Sequence, residues 1–181
     1  MAEFALPEIV QRRALSLGEG GRAWLAGLDA ELGALAREWQ ISIGPVMHGG
    51  SEAFVAEATT HDGQPAVLKV GVPGSGSGGN EARVLQAAAG RGYARIFRHD
   101  EGRRAMLLER LGPRLEDLGL SVDDQLRVIC ATLRTAWRNQ PNGLPCTTGA
   151  EKAANLATFI VDLWETLGRP CSERVIDRAL A

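Results

Sequence analysis

Residues 65–72 read PAVLKVGV, a short β-prone run with a single cation at its centre, and residues 80–86 read NEARVLQ, with an acid near the start of a helix. In the first run Val67 and Lys69 alternate with Leu68 and Val70, so a strand here gives the Lys69 ammonium a defined face of a sheet. Upstream, His61-Asp62-Gly63-Gln64 is a hairpin-type turn and Ala53 to Thr60 an alternating strand. His48-Gly49-Gly50-Ser51 is another turn, and Ile41 to Val46 a further β-prone run. Strands joined by turns this tight must be antiparallel, because a parallel pair needs a crossover of about a dozen residues or more.

Outward from this meander the periodicity changes. Trp24, Leu25, Leu28, Leu32, Leu35 and Ala36 recur at three- and four-residue steps and predict an amphipathic helix over 22–38. Beyond Pro73 a Gly/Ser-rich stretch, Gly74 to Gly79, leads to a helix over 80–89, with Asn80 as N-cap and Gly90 and Gly92 as its stop. Tyr93 to His99 and Ala105 to Glu109 are two more strands around the polar turn 100–104. From Leu111 the pattern is helical: a short turn at 115–118, then a helix capped by Ser121 and running to Arg138. A loop over 139–148, a helix over 150–167 and a last helix capped by Ser172 follow. The expected fold class is therefore α+β. A helical segment, 1–40, precedes a five-stranded antiparallel lobe with one helix, 41–111, and a helical portion, 112–181, follows.

Composition excludes several function classes. A net charge of −2 offers no attraction to nucleic acid or to an anionic membrane, and 45% hydrophobic residues suit an ordinary globular core. Cys130, Cys146 and Cys171 form no metal-binding or CxxC spacing and read as incidental thiols of a reducing compartment. The first residues, MAEFALPEIVQRR, lack the basic start and apolar run of a signal peptide, and no stretch approaches the roughly 20 apolar residues of a membrane span. The expected location is the cytoplasm.

Chemistry concentrates around Lys69. Alone it reads as well as an exposed strand lysine, and Glu81 reads as an acid favoured at any helix N-terminus. Together, on a strand and on the helix after it, they form the pair that aims an ammonium at the phosphates of ATP. Gly49, Gly50 and Ser51 form the hairpin that would lie over those phosphates, glycine letting backbone amides approach anionic oxygens. It is neither a Walker A sequence nor a protein-kinase GxGxxG. Glu109, Arg110 and Leu111 connect the β-rich part to the helices, where a backbone can meet an adenine edge, with Met106 and Leu108 packing nearby. A rival reading takes the glycines at 74–79 as a dinucleotide-binding GxGxxG with Asp100 on a ribose, in an oxidoreductase. Against it, the preceding strand belongs to an antiparallel meander, Lys69 suits a doubly covered sheet poorly, and no second βαβ half follows.

The runs GPVMHGGSEAFVAEATTHDGQPAVLKV, NEARVLQ and MLLERLG resemble the aminoglycoside phosphotransferase superfamily, in its streptomycin 6-phosphotransferase and hydroxyurea phosphotransferase branch. The likeness extends to RVICATLRTAW and SERVIDRALA. It implies a protein-kinase-like fold and transfer of the ATP γ-phosphate, with magnesium, to a hydroxyl of a small molecule such as streptomycin or hydroxyurea. Lys69 is then the phosphate-binding lysine, Glu81 its helix partner, and Glu109 to Leu111 the adenine connector. Members of the family continue with an HGD-type catalytic loop and further Asn and Asp residues. Here the His99-Asp100 step lies between strands, as does His61-Asp62 in its hairpin turn, so no catalytic base or metal ligand is assigned. The expectation is a truncated, incomplete helical lobe and a chain inactive by itself, or a non-catalytic nucleotide-binding module. The apolar stripe Val175, Ile176, Ala179 and Leu180 is expected to drive self-association.

Overall fold

An amphipathic helix must cover its apolar stripe, and here the stripe lies on one face of a sheet. The computed structural model describes residues 4–74, 78–138 and 147–180, in two units, residues 1–144 and 145–181. Helix α1 is Glu8–Leu15 and α2 is Glu19–Trp39; α2 buries Leu28, Leu32, Leu35 and Trp39. It ends at Gln40, whose left-handed backbone (φ 54°) lets its amide donate to the carbonyls of Ala36 and Arg37 and turns the chain straight into the first strand. Sequence periodicity predicts a start at 22, three residues late, and misses α1. That helix has only eight residues and buries only Val10 and Ala14 against Val72, too short a stripe to show a period. The α1–α2 corner depends on Gly21, where an added Cβ would lie 1.7 Å from the Ala14 carbonyl oxygen.

Strands β1 (Ile41–Val46), β2 (Ala53–Thr60), β3 (Pro65–Gly71), β4 (Ile96–Asp100) and β5 (Ala105–Glu109) form one sheet in the order β1-β2-β3-β5-β4. Every neighbouring pair is antiparallel. The expected α+β class and five-stranded antiparallel sheet are therefore present, with β5 inserted beside β3. Helix α3 (Gly78–Ala88) links β3 to β4. It begins two residues before the expected cap, so Asn80 lies inside the first turn and is not the N-cap. Residues 93–95, expected in β4, run irregularly ahead of it. Residues 75–77, the centre of the Gly/Ser stretch, and most of the 139–148 loop lie outside the described residues.

Strand register assigns the two faces. Phe54, Ala56, Ala58, Ala66, Leu68, Val70, Ala105 and Leu107 form one core with α2. On the other face Val55, Lys69 and Met106 stand in one row, and Glu57, Val67 and Leu108 in the next. Ala82 and Leu85 of α3 pack there with Met106, Tyr93 and Ile96. Beyond a 3-10 turn at Leu115–Leu118, helix α4 (Val122–Arg138) is capped as expected, with the Asp124 amide donating to Ser121 Oγ at 3.2 Å. Its Ala136 is buried where a Cβ on Gly92 would come within 2.7 Å of the Ala136 nitrogen. In the second unit, α5 (Gly149–Thr166) starts on a reciprocal capping box between Thr148 and Glu151. Helix α6 (Glu173–Leu180) leaves Val175 and Leu180 exposed, and Trp164 Nε1 donates to the Cys171 carbonyl at 2.9 Å. Cys130 and Cys171 are exposed free thiols, and no helix among the described residues is long and apolar enough to cross a membrane.

Arg103, in the β4–β5 turn, reaches α2 through Glu31 (3.3 Å) and Glu38 (2.8 Å) and is braced by Asp100 (3.4 Å). Its hydrogen bond to Glu38 holds that carboxyl below the usual value of 4.5. A lowered folded-state pKa gives stability present above the unfolded value and lost as pH falls through the folded one. Acid titration followed by hydrogen exchange should therefore show the α2 C-terminus loosening below pH 4.5, an acid-sensitive component that Arg103→Ala removes. In urea denaturation, Gly21→Ala should destabilise by about 1–3 kcal/mol through overpacking. Gly27→Ala, on an open stretch of the same helix, should stabilise by about 0.5–1 kcal/mol.

Candidate functional site

The row Val55–Lys69–Met106 crosses three adjacent strands, so the Lys69 ammonium projects from the middle of the sheet. Glu81, in the first turn of α3, meets it: Nζ lies 2.6 Å from Oε1 and 2.7 Å from Oε2. The side chains are 25% and 31% exposed, so the pair is neither sealed in the core nor free in solvent. It is geometrically tight yet reachable by a ligand.

Lys69 and Glu81 border a cavity of about 390 Å³ that Gly50, Ser51, Glu52 and Arg104 also line. The structure thus brings together Lys69, Glu81, Gly50 and Ser51, four of the residues singled out in the sequence, and leaves Gly49 outside that lining. The hairpin tip is tied down on its far side, where the Val72 amide donates to the Glu52 carbonyl at 2.9 Å and Arg13 faces the Glu52 carboxylate at 3.6 Å.

One row along the same face lies a second cavity, of about 500 Å³, walled by Val67, Leu108, Ala94 and Met47 and bordered by Glu109, Arg110 and Leu111. The connector residues therefore do share a pocket, but each is placed differently. The Glu109 amide donates to the Arg95 carbonyl (2.8 Å) and its carboxylate accepts from the Arg95 amide (3.0 Å), which pins the end of β5 to the segment before β4. Arg110 turns back over the sheet to Glu57 of β2 (2.7 Å) and to Met47 Sδ (3.7 Å). Leu111 is 60% exposed. Met106, expected near the connector, instead lies in the Lys69 row and is 2% exposed, while Leu108 does line the second cavity.

Sequence reading missed Arg104, Glu57 and Met47. Arg104 had a signal: it precedes Met106 and Leu108 at the strand period, on Lys69's face. Met47 and Glu57 had none, because the strand pairing that brings β2 alongside the connector is not local.

Residues 38–159 match the family described as aminoglycoside/hydroxyurea antibiotic resistance kinase. The chain belongs to that family. The matched segment contains both cavities and every residue that lines them. The chain is 30% identical over 146 residues to a streptomycin 6-kinase of Streptomyces griseus, covering 80% of this chain and 46% of that protein. It is 33% identical over 98 residues to a streptomycin 6-kinase of Streptomyces glaucescens, covering 54% of this chain and 32% of that protein. The matches thus span less than half of the length of these relatives.

The partial exposure of Lys69 and Glu81 limits their worth to the fold. A double-mutant cycle of Lys69→Met and Glu81→Gln, read by denaturant unfolding, should give a coupling of no more than about 1 kcal/mol. A coupling several times larger would make the pair a core element.

Proposed function

We propose that this chain supplies the nucleotide-holding part of a phosphotransferase that moves the γ-phosphate of ATP to a hydroxyl of a streptomycin-type aminoglycoside. The observation that carries the proposal is the Lys69 ammonium, held by both Glu81 oxygens at the edge of an open cavity beneath the Gly50-Ser51 hairpin. A paired lysine is stiff and correctly aimed, and backbone at Gly50 and Ser51 approaches without bulk. The neighbouring cavity, with Val67, Ala94 and Leu108, offers apolar walls to a purine, and the connector from Glu109 to Leu111 runs beside it. The family and the two streptomycin 6-kinases support the aminoglycoside as acceptor; the family description includes hydroxyurea as well.

Magnesium fits these residues poorly. Of the two carboxylates lining the first cavity, Glu81 has both oxygens on Lys69 and Glu52 faces Arg13. Among the described residues no group of three or more His, Cys, Asp or Glu side chains gathers at a metal-binding spacing. The His99-Asp100 step ends β4, where Asp100 accepts a hydrogen bond from the Arg103 amide at 2.9 Å, so its carboxylate shapes a turn. This favours a second reading for the 181 residues alone, a nucleotide-binding module that holds ATP without transferring phosphate.

Calorimetric titration with ATP should show binding that Lys69→Met weakens by tenfold or more, about 1.4 kcal/mol, with an unchanged thermal melt. Streptomycin should elicit no ADP release from this chain, and preference for NADH over ATP would overturn the nucleotide assignment. Streptomycin-dependent turnover abolished by Lys69→Met would replace the second reading by the first.

A further inference from the structure

We propose that Arg104 is a second polyphosphate-binding cation of the Lys69 cavity, held ready by the β4–β5 turn. The inference rests on the nucleotide reading of that cavity and adds a residue to it. Arg104 lines the cavity together with Lys69, Glu81, Gly50 and Ser51. Strand alternation brings it there: Lys69 pairs with Met106, and Arg104 stands two residues earlier on β5's run, on the same face. Opposite it is Gly71, whose amide donates to the Arg104 carbonyl at 2.9 Å and which has no side chain to occupy the space. The guanidinium folds across that space, and its Nε donates to the Gly71 carbonyl at 3.4 Å, leaving the two terminal nitrogens for another acceptor.

Two further observations point the same way. Arg104 has φ 53°, a left-handed backbone that glycine or asparagine adopts far more readily than arginine. Such strain concentrates where a side chain is needed at a functional site. Secondly, the charges are unequal. Lys69 is neutralised by Glu81, whereas no ion pair among the described residues includes Arg104. The other carboxylate of the lining, Glu52, faces Arg13 at 3.6 Å, so Arg104 is a lining charge without an ionic partner among the described residues, and a planar fork of donors suits phosphate oxygens. The turn is fixed from both sides. Arg103 is bound to Glu31 and Glu38 of α2, and Glu101 reaches Arg83 of α3 at 3.5 Å. These contacts hold the Arg104 backbone where it is; Arg103 acts only through it, as a positioning residue.

The test uses the 181-residue chain with three probes: inorganic tripolyphosphate, ATP and adenosine. Arg104→Asn removes the charge and tolerates the left-handed backbone, so its melt should match the parent protein. It should bind tripolyphosphate and ATP about tenfold more weakly and adenosine equally well, while Arg104→Lys retains most of the lost affinity. If Arg104→Asn leaves both phosphates unaffected while Lys69→Met weakens them, Arg104 has no such role and the nucleotide reading stands. Equal weakening of adenosine would show a structural role and overturn the proposal. Arg104-dependent binding of tripolyphosphate with no added affinity for ATP would uphold the cation and overturn the nucleotide reading. Failure of the parent protein to bind either phosphate overturns both.

Discussion

The packing of α2 on one face of the sheet is the constraint from which the rest follows. Leu28, Leu32, Leu35 and Trp39 lie against Phe54, Leu68, Val70 and Leu107, all buried in one core. Each large side chain taken fully out of water contributes about 1.5–3 kcal/mol, so several together decide which way every strand is turned. Since strand residues alternate, putting Leu68 and Val70 against α2 forces Lys69 to the opposite face. A one-residue slip of β3 would bury the ammonium in the core at a cost of several kcal/mol. Apolar packing on one side thereby fixes the location of the charge on the other.

That other face is only partly covered, and the partial cover gives the site its character. Helix α3 packs through Ala82 and Leu85 on the β5 side and brings Glu81 over Lys69. Had α3 covered the whole face, the pair would be desolvated and closed to ligands; with no cover, the lysine would wander in water. The outcome is a part-exposed ion pair that orients a cation at small energetic cost. The two cavities then lie in successive rows of the same sheet, one around the Lys69–Glu81 pair and one with apolar walls at Val67, Ala94 and Leu108 and a rim that includes Glu109 and Arg110.

Much of this was legible beforehand because it is local. The turns at 48–51 and 61–64 and the alternation through 53–72 establish an antiparallel meander with Lys69 on a definite face. Glu81 follows in the first turn of the next helix, as read. The failures have physical reasons. Helix α1 has two buried residues in eight, too few for a period. Asn80 looked like a cap, but the helix begins two residues earlier. For Glu109 and Arg110, read as connector residues, no local pattern signalled their side-chain partners, the Arg95 amide and Glu57, which strand order chooses.

The sequence by itself determined the strands, the lysine and its acid, because each rests on periods of two or about four residues that neighbours alone impose. Only the tertiary structure decided that β5 lies beside β3, that two cavities share one face, and that Arg104 stands with Lys69. Those depend on which distant strands pair, and pairing is settled by the burial of a whole sheet face under α2, an energy no local window of residues contains.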